Sequence, residues 1–137
     1  EAASEMWPGR RLVVAFQPHQ ARRFDRFRVE FSKALDRADA LVLLPLYRAR
    51  DPEDLRPETG ELLAPLQARR KRDIFVAEDA SIAATWLQSH VQGEDILLCL
   101  GAGDIDSFAR SLTLGYEREK NSGVRRTLRT ETQGFSA

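Results

Sequence analysis

The chain has too little cysteine to staple itself. One residue of 137, Cys99, excludes an intramolecular disulfide and leaves stability to a hydrophobic core. Charge of one sign is also missing. Twenty-one basic side chains balance 21 acidic ones, so no global field draws the protein to nucleic acid or to an anionic lipid surface. No apolar stretch approaches the roughly 20 residues of a membrane span, and the first residues, with Glu1 and Glu5, do not form a signal peptide. The two histidines, His19 and His90, lie far apart, and Cys99 sits inside the apolar run Ile96-Leu97-Leu98-Cys99-Leu100. No metal-ligand spacing follows, and the thiol is expected to be buried and inert. Glu78 and Asp79 are adjacent and do not define a pair of catalytic carboxylates. The reduced cysteine content favours a cytoplasmic origin. A start at Glu1 rather than methionine is expected of a processed chain, a trimmed chain or a fragment.

What is present is an alternation of periods. Residues 11–16 form a buried strand that Pro18 stops, because proline has no N–H for a central ladder. From Arg22 the period becomes helical, with Phe24, Phe27, Phe31 and Leu35 on one face. Residues 40–44 read as a second strand closed by Pro45, and a polar, proline-punctuated loop follows to Pro57. Residues 61–70 suit a helix with Leu62, Leu63 and Leu66 inward, shortened or kinked at Pro65. Residues 74–77 give a third strand. Asp79 is placed to cap a helix whose inner side is Ile82, Ala83, Trp86, Leu87 and Val91. Residues 96–100 give a fourth strand, then a glycine turn and a helix from about Asp104 with Ile105, Phe108, Ala109 and Leu112 inward. Strands alternating with crossover-length helices predict an α/β fold: a three-layer, Rossmann-like domain with a mostly parallel sheet and helices on both faces. It spans residues 1–116, and residues 117–137 are expected to be a polar, flexible tail.

In such sheets ligands gather beyond the carboxyl ends of strands. Gln17, His19, Arg22 and Arg23 follow the first strand, Tyr47 follows the second, and Gly101, Gly103 and Asp104 follow the fourth. An arginine fork suits phosphate or carboxylate, and an imidazole titrates near neutrality. The same residues also suit a plain turn with solvated arginines. Gly101-Ala102-Gly103 is a candidate anion-facing loop, although it lacks the dinucleotide and Walker A patterns, and Asp104 suits an N-cap equally well.

The run Arg11-Leu12-Val13-Val14-Ala15-Phe16-Gln17-Pro18-His19-Gln20, followed by Arg23, resembles the C-terminal domain of the Mur ligase family, in its L-alanine-adding branch (the UDP-N-acetylmuramate–L-alanine ligases). The likeness resumes at Asp36-Arg37-Ala38-Asp39-Ala40-Leu41-Val42-Leu43-Leu44 and Tyr47, at Val76-Ala77-Glu78-Asp79, and at Leu100-Gly101-Ala102-Gly103-Asp104-Ile105. The resemblance implies a domain that binds nucleotide and amino acid by closing over two others, with ATP and Mg2+ held mainly by a central domain outside this chain. It implies His19, Arg23, Gln17 and Tyr47 as ligand-binding residues, no catalytic or metal-ligating residue here, and no tightly bound cofactor. Partners would be the N-terminal and central ligase domains, UDP-N-acetylmuramate and L-alanine, with no nucleic acid and no membrane; the isolated chain would be inactive. The family strand that precedes the first crossover helix is absent from the sequence, so an open sheet edge or a missing strand partner is expected. The chain departs from the family at Ala21-Arg22 where tyrosine-serine is usual, at Pro45 where aspartate is usual, and at Arg48-Ala49-Arg50-Asp51. These departures motivate two competing accounts: a diverged non-enzymatic interaction or regulatory domain, and a phosphate-ligand-binding module.

Overall fold

The computed structural model describes residues 5–48, 50–51, 57–101, 103–120 and 130–133, with side chains described outside 113–120 and 130–133. Its frame is a sheet of β1 (Leu12–Gln17), β2 (Ala40–Leu43), β3 (Asp73–Val76), β4 (Ile96–Gly101) and β5 (Thr130–Gln133), in the order β3-β2-β1-β4-β5. Every pairing is parallel. The helices are α1 (Ala21–Arg26), α2 (Arg28–Ala34), α3 (Leu63–Arg69), α4 (Ala80–His90) and α5 (Ile105–Lys120). Strands with both faces covered are apolar throughout rather than alternating, and β1, β2 and β4 follow that rule. The chain therefore has the three-layer α/β architecture of Rossmann-like proteins.

Pleating sorts each strand's side chains into two cores. Leu12, Val14, Phe16, Leu41, Leu43, Ile96, Leu98 and Leu100 pack with Phe24 and Phe31 of α1 and α2, with Leu62, and with Leu66 of α3. Val13, Ala15, Val42, Leu97 and Cys99 pack with Ala83 and Leu87 of α4 and with Ile105, Phe108, Ala109 and Leu112 of α5. Trp7 is half-buried against the first core.

The single helix expected after Arg22 is two. The backbone leaves helical geometry at Phe27 (φ −107°, ψ 18°), so Phe27 turns half outward beneath the Arg26 guanidinium, 5.3 Å from its ring centre. Phe24 and Phe31 still reach the core, with ring centroids 6.1 Å apart. The helix around Pro65 is short, as its proline suggested: a 3-10 turn over Thr59–Leu62 precedes α3, which places the proline in the first helical turn, where its missing N–H costs nothing. Leu63 is only half-buried, and Ile82 lies outside the core at 38% exposure. Trp86 is half-buried, stacked between Phe75 (5.7 Å) and His90 (4.0 Å) rather than enclosed.

At the end of the chain, α5 continues to Lys120, and residues 130–133, within the stretch expected to be tail, form a strand paired along β4. A helix whose inner face is already buried propagates cheaply, and β4 otherwise presents an unpaired ladder that any extended segment can satisfy. The edge strands are thus β3 and β5. The rest of residues 121–137, and residues 1–4 of the crossover helix expected over residues 1–6, lie outside the described residues.

The amino edge of the sheet is closed by polar fastenings. Leu12 N donates to Asp39 Oδ2 at 2.7 Å, and Arg11 Nη1 donates to Asp95 Oδ2 at 2.7 Å and to the His90 carbonyl at 3.0 Å. The Arg72 guanidinium, 1% exposed, lies 2.5 Å from Asp36 Oδ1 and donates to the Asp36, Leu35 and Ala38 carbonyls. At the carboxyl edge, Gln17 Oε1 and Thr59 Oγ1 are buried without a hydrogen-bond partner.

Candidate ligand site at the carboxyl edge of the sheet

Strand order reverses between β1 and β4. The connection from β1 goes outward to β2 and β3; α4 then brings the chain back to β4 on the other side of β1. Because α1 and α5 leave on opposite faces, a crevice opens at the carboxyl ends of these two strands. The loops after β1, β2 and β4 build its rim.

Parallel pairing of β1 with β2 outlasts the strands. Past Pro18, Tyr47 N donates to the Pro18 carbonyl and Gln20 N to the Tyr47 carbonyl, both at 2.9 Å. This small ladder sets His19 opposite Tyr47, and their rings stack with centroids 5.4 Å apart and planes 16° apart. Gln20 takes φ 63°, turning the chain sharply into α1. Ala21 N, at the helix start, donates to Asp51 Oδ2 at 2.5 Å. That aspartate places its charge at a helix amino terminus and ties the β2 loop to α1.

The β4 loop arrives from the other side. Gly101 lies opposite Gln17 in register, so close that a Cβ would overlap the Gln17 carbonyl oxygen. Gly103, at φ +77°, lies under the Tyr47 ring: a Cβ there would sit 2.7 Å from Cδ1. Only glycine fits both demands, left-handed backbone and contact with an aromatic face. His19, Tyr47 and Gly103 therefore form one continuous layer across three loops.

The six sequence candidates thus come together. Gln17, His19, Arg23 and Gly101 line a cavity of about 20 Å³, enough for one water-sized group, with Tyr47 and Gly103 beside it. Gln17 also reaches a wider groove of about 480 Å³ on the α4/α5 side, lined by Ala80, Ser81, Asp104, Ser107 and Ser111 among others. Its Nε2 donates to the Pro45 carbonyl at 3.3 Å, while its Oε1 is buried with no hydrogen-bond partner. Arg22 is exposed and lines neither space. Asp104 begins α5 through its carbonyl, which accepts from Phe108 N at 3.0 Å. Among the described residues its side chain makes no cap bond, so the carboxylate faces solvent at the groove. The serines Ser81, Ser107 and Ser111 escape sequence reasoning; their signal is position, Ser81 and Ser107 in the first turns of helices that follow strands and Ser111 one turn further along α5.

Among the described residues no three His, Cys, Asp or Glu side chains gather as a metal site, and no helix is long and apolar enough to cross a membrane. Burial pushes the Cys99 thiol up to about 12, so it stays protonated in its strand.

The fold and crevice are those of open α/β domains, the architecture in which ligands bind where strand order reverses. No protein-family model matches the sequence. Among solved structures, the chain is similar to a domain assigned to a UDP-N-acetylmuramate:L-alanyl-gamma-D-glutamyl-medo-diaminopimelate ligase from Haemophilus ducreyi. The TM-score is 0.58 at 13% sequence identity, over 83% of this chain and 75% of that one. The likeness is one of fold, shared with a Mur ligase domain.

Proposed function

We propose that the chain is the C-terminal nucleotide- and amino-acid-binding domain of a cytoplasmic, ATP-dependent ligase that joins L-alanine to UDP-N-acetylmuramate in peptidoglycan precursor synthesis. The observation that carries this reading is the convergence of Gln17, His19, Arg23, Tyr47, Gly101 and Gly103 on the crevice where strand order reverses. The shared Mur-domain fold and the glutamine-proline-histidine motif support it.

In that role the rim is a binding surface that other domains complete. Arg23 lines the crevice, where a guanidinium fork suits the carboxylate of an amino acid or a phosphate oxygen. His19, fixed against Tyr47 by ring stacking and the loop ladder, offers an imidazole edge for orienting the ligand. Gln17 Oε1 accepts a ligand N–H. ATP supplies the activating phosphoryl group when bound, and its Mg2+ belongs with residues outside this chain. Closing this rim over the other domains excludes water from the activated carboxyl group, so turnover depends on domain closure. None of the residues here is assigned as a catalytic base.

The test is product formation by the natural polypeptide that contains this chain, given ATP, Mg2+, UDP-N-acetylmuramate and L-alanine. Amide formation dependent on all of them supports the reading; no amide and no alanine-dependent phosphate release overturns it. A second reading, a diverged interaction or regulatory domain, draws on Asp51. Its carboxylate is spent on the start of α1, and Pro45 stands where the family has an acidic residue. An inactive parent polypeptide with a tight protein partner would favour that reading. Saturable ATP binding by the chain alone, without ligase activity, would favour a phosphate-ligand module.

A further inference from the structure

A separate groove of about 290 Å³ lies at the carboxyl ends of β2 and β3, on the far side of Pro45 from the His19 rim. Its floor and walls are Leu44, Pro45, Val76 and Ala77. Val76 is one of few large apolar side chains left exposed, at 40%. Gly60 keeps the groove open, since a Cβ there would stand 3.3 Å from Val76 Cγ1. The size is at the low end for small-molecule clefts.

Thr59 lines the groove, is 2% exposed, and holds a buried Oγ1 with no hydrogen-bond partner. Buried hydroxyls in native proteins are normally satisfied, so an orphan beside a groove marks a place for a ligand atom. Its position is rigid because Glu58 and Glu61 form a reciprocal capping box around the turn: the Glu58 side chain accepts from Glu61 N, and Glu61 Oε1 accepts from Glu58 N at 2.9 Å. Two carboxylates flank the groove. Arg48 Nη2, 2.5 Å from Glu58 Oε1, compensates one. Glu78 has no ion pair or hydrogen bond among the described residues, which leaves the groove with a negative charge.

We propose that this groove binds a small primary alkylammonium ion. The ammonium donates to Thr59 Oγ1 and lies against Glu78, and the alkyl stem covers Val76, Ala77 and Leu44. An anion is disfavoured because Arg48 is committed to Glu58 and to the Pro57 carbonyl. A metal ion is disfavoured because no set of three ligating side chains gathers among the described residues. The site is independent of the ligase reading.

The probe is n-butylammonium, titrated into the chain by amide-resolved NMR, with butyrate and 1-butanol as controls. Saturable shifts at Gly60, Val76 and Ala77 with the ammonium alone support the proposal. Equal response to butanol or butyrate, or no saturable response at these residues, overturns it. Glu78→Gln, an exposed change, should weaken binding about tenfold, the loss of one modest charge contact. Thr59→Val should weaken binding while leaving the urea midpoint equal or higher, because it removes an unsatisfied hydroxyl. Unchanged affinity in both variants would refute the assignment. So would loss of stability in Thr59→Val, which would make the hydroxyl structural.

Discussion

Replacing Gly103 by alanine tests whether the three loops truly meet. Two costs are expected. A left-handed backbone costs a residue with a Cβ roughly 1–2 kcal/mol. The new methyl would also lie 2.7, 2.8 and 2.9 Å from three atoms of the Tyr47 ring. Relieving that overlap by displacing Tyr47 costs roughly 1–3 kcal/mol more. Gly9 supplies the control: it has nearly the same backbone (φ +79°), but nothing lies within 4 Å of where its Cβ would be. Gly9→Ala should therefore show the backbone cost alone. Urea unfolding of both variants, with unchanged m-values, gives the difference. Repeating Gly103→Ala in a Tyr47→Ala background should recover the overlap cost, a coupling of roughly 1–3 kcal/mol. Equal destabilisation by Gly9→Ala and Gly103→Ala, with no coupling to Tyr47, would refute the convergence of the loops.

Phe24, fully buried beneath the sheet against Phe31, should cost roughly 3–5 kcal/mol on truncation to alanine, read as a lower urea midpoint. Cys99, with its thiol pushed up to about 12 by burial, should resist alkylation at pH 8 in the native protein and react promptly in denaturant. Reaction at equal rates in both states would contradict its burial. The hydrogen bond from Arg72, and then its charge, hold the Asp36 carboxyl below its ordinary value of 3.8. The native state therefore holds fewer protons there than the unfolded chain. The stabilisation is complete above the ordinary value and fades as pH falls through the lower folded value. Asp36→Asn should be less stable than wild type near neutrality, with the gap narrowing in acid; a gap independent of pH would contradict this.

How much of this was legible in the residues follows from which forces were local. β1, β2 and β4 are apolar throughout because both faces are covered, and their limits fall within a residue of those read from composition and proline. Helix-period patterning found the inner faces but not the break at Phe27, since Phe24, Phe27 and Phe31 keep helical spacing across it. Ile82 matched the same periodicity yet is 38% exposed, because neighbouring Ala83 and Leu87 already fill α4's contact with the sheet. β5 was invisible: Thr130-Glu131-Thr132-Gln133 has no apolar signature, and only the open edge of β4 recruits it.

For the site, proline and glycine punctuation located both strand ends, and the contact of Gly103 with Tyr47 joins them. The role of Asp51 was hidden because its partner, Ala21 N, is 30 residues away. Thr59 was hidden for a different reason. An orphaned hydroxyl is a property of packing, and nothing in the sequence around it marks the groove.

The most direct test is the alanine dependence of amide synthesis by the proposed parent ligase carrying Arg23→Ala or His19→Ala. A raised KM for L-alanine or ATP with the fold intact is the expected result, because the proposed role of these side chains is to position ligands at the crevice. Unaltered KM and turnover in the double variant would contradict that role.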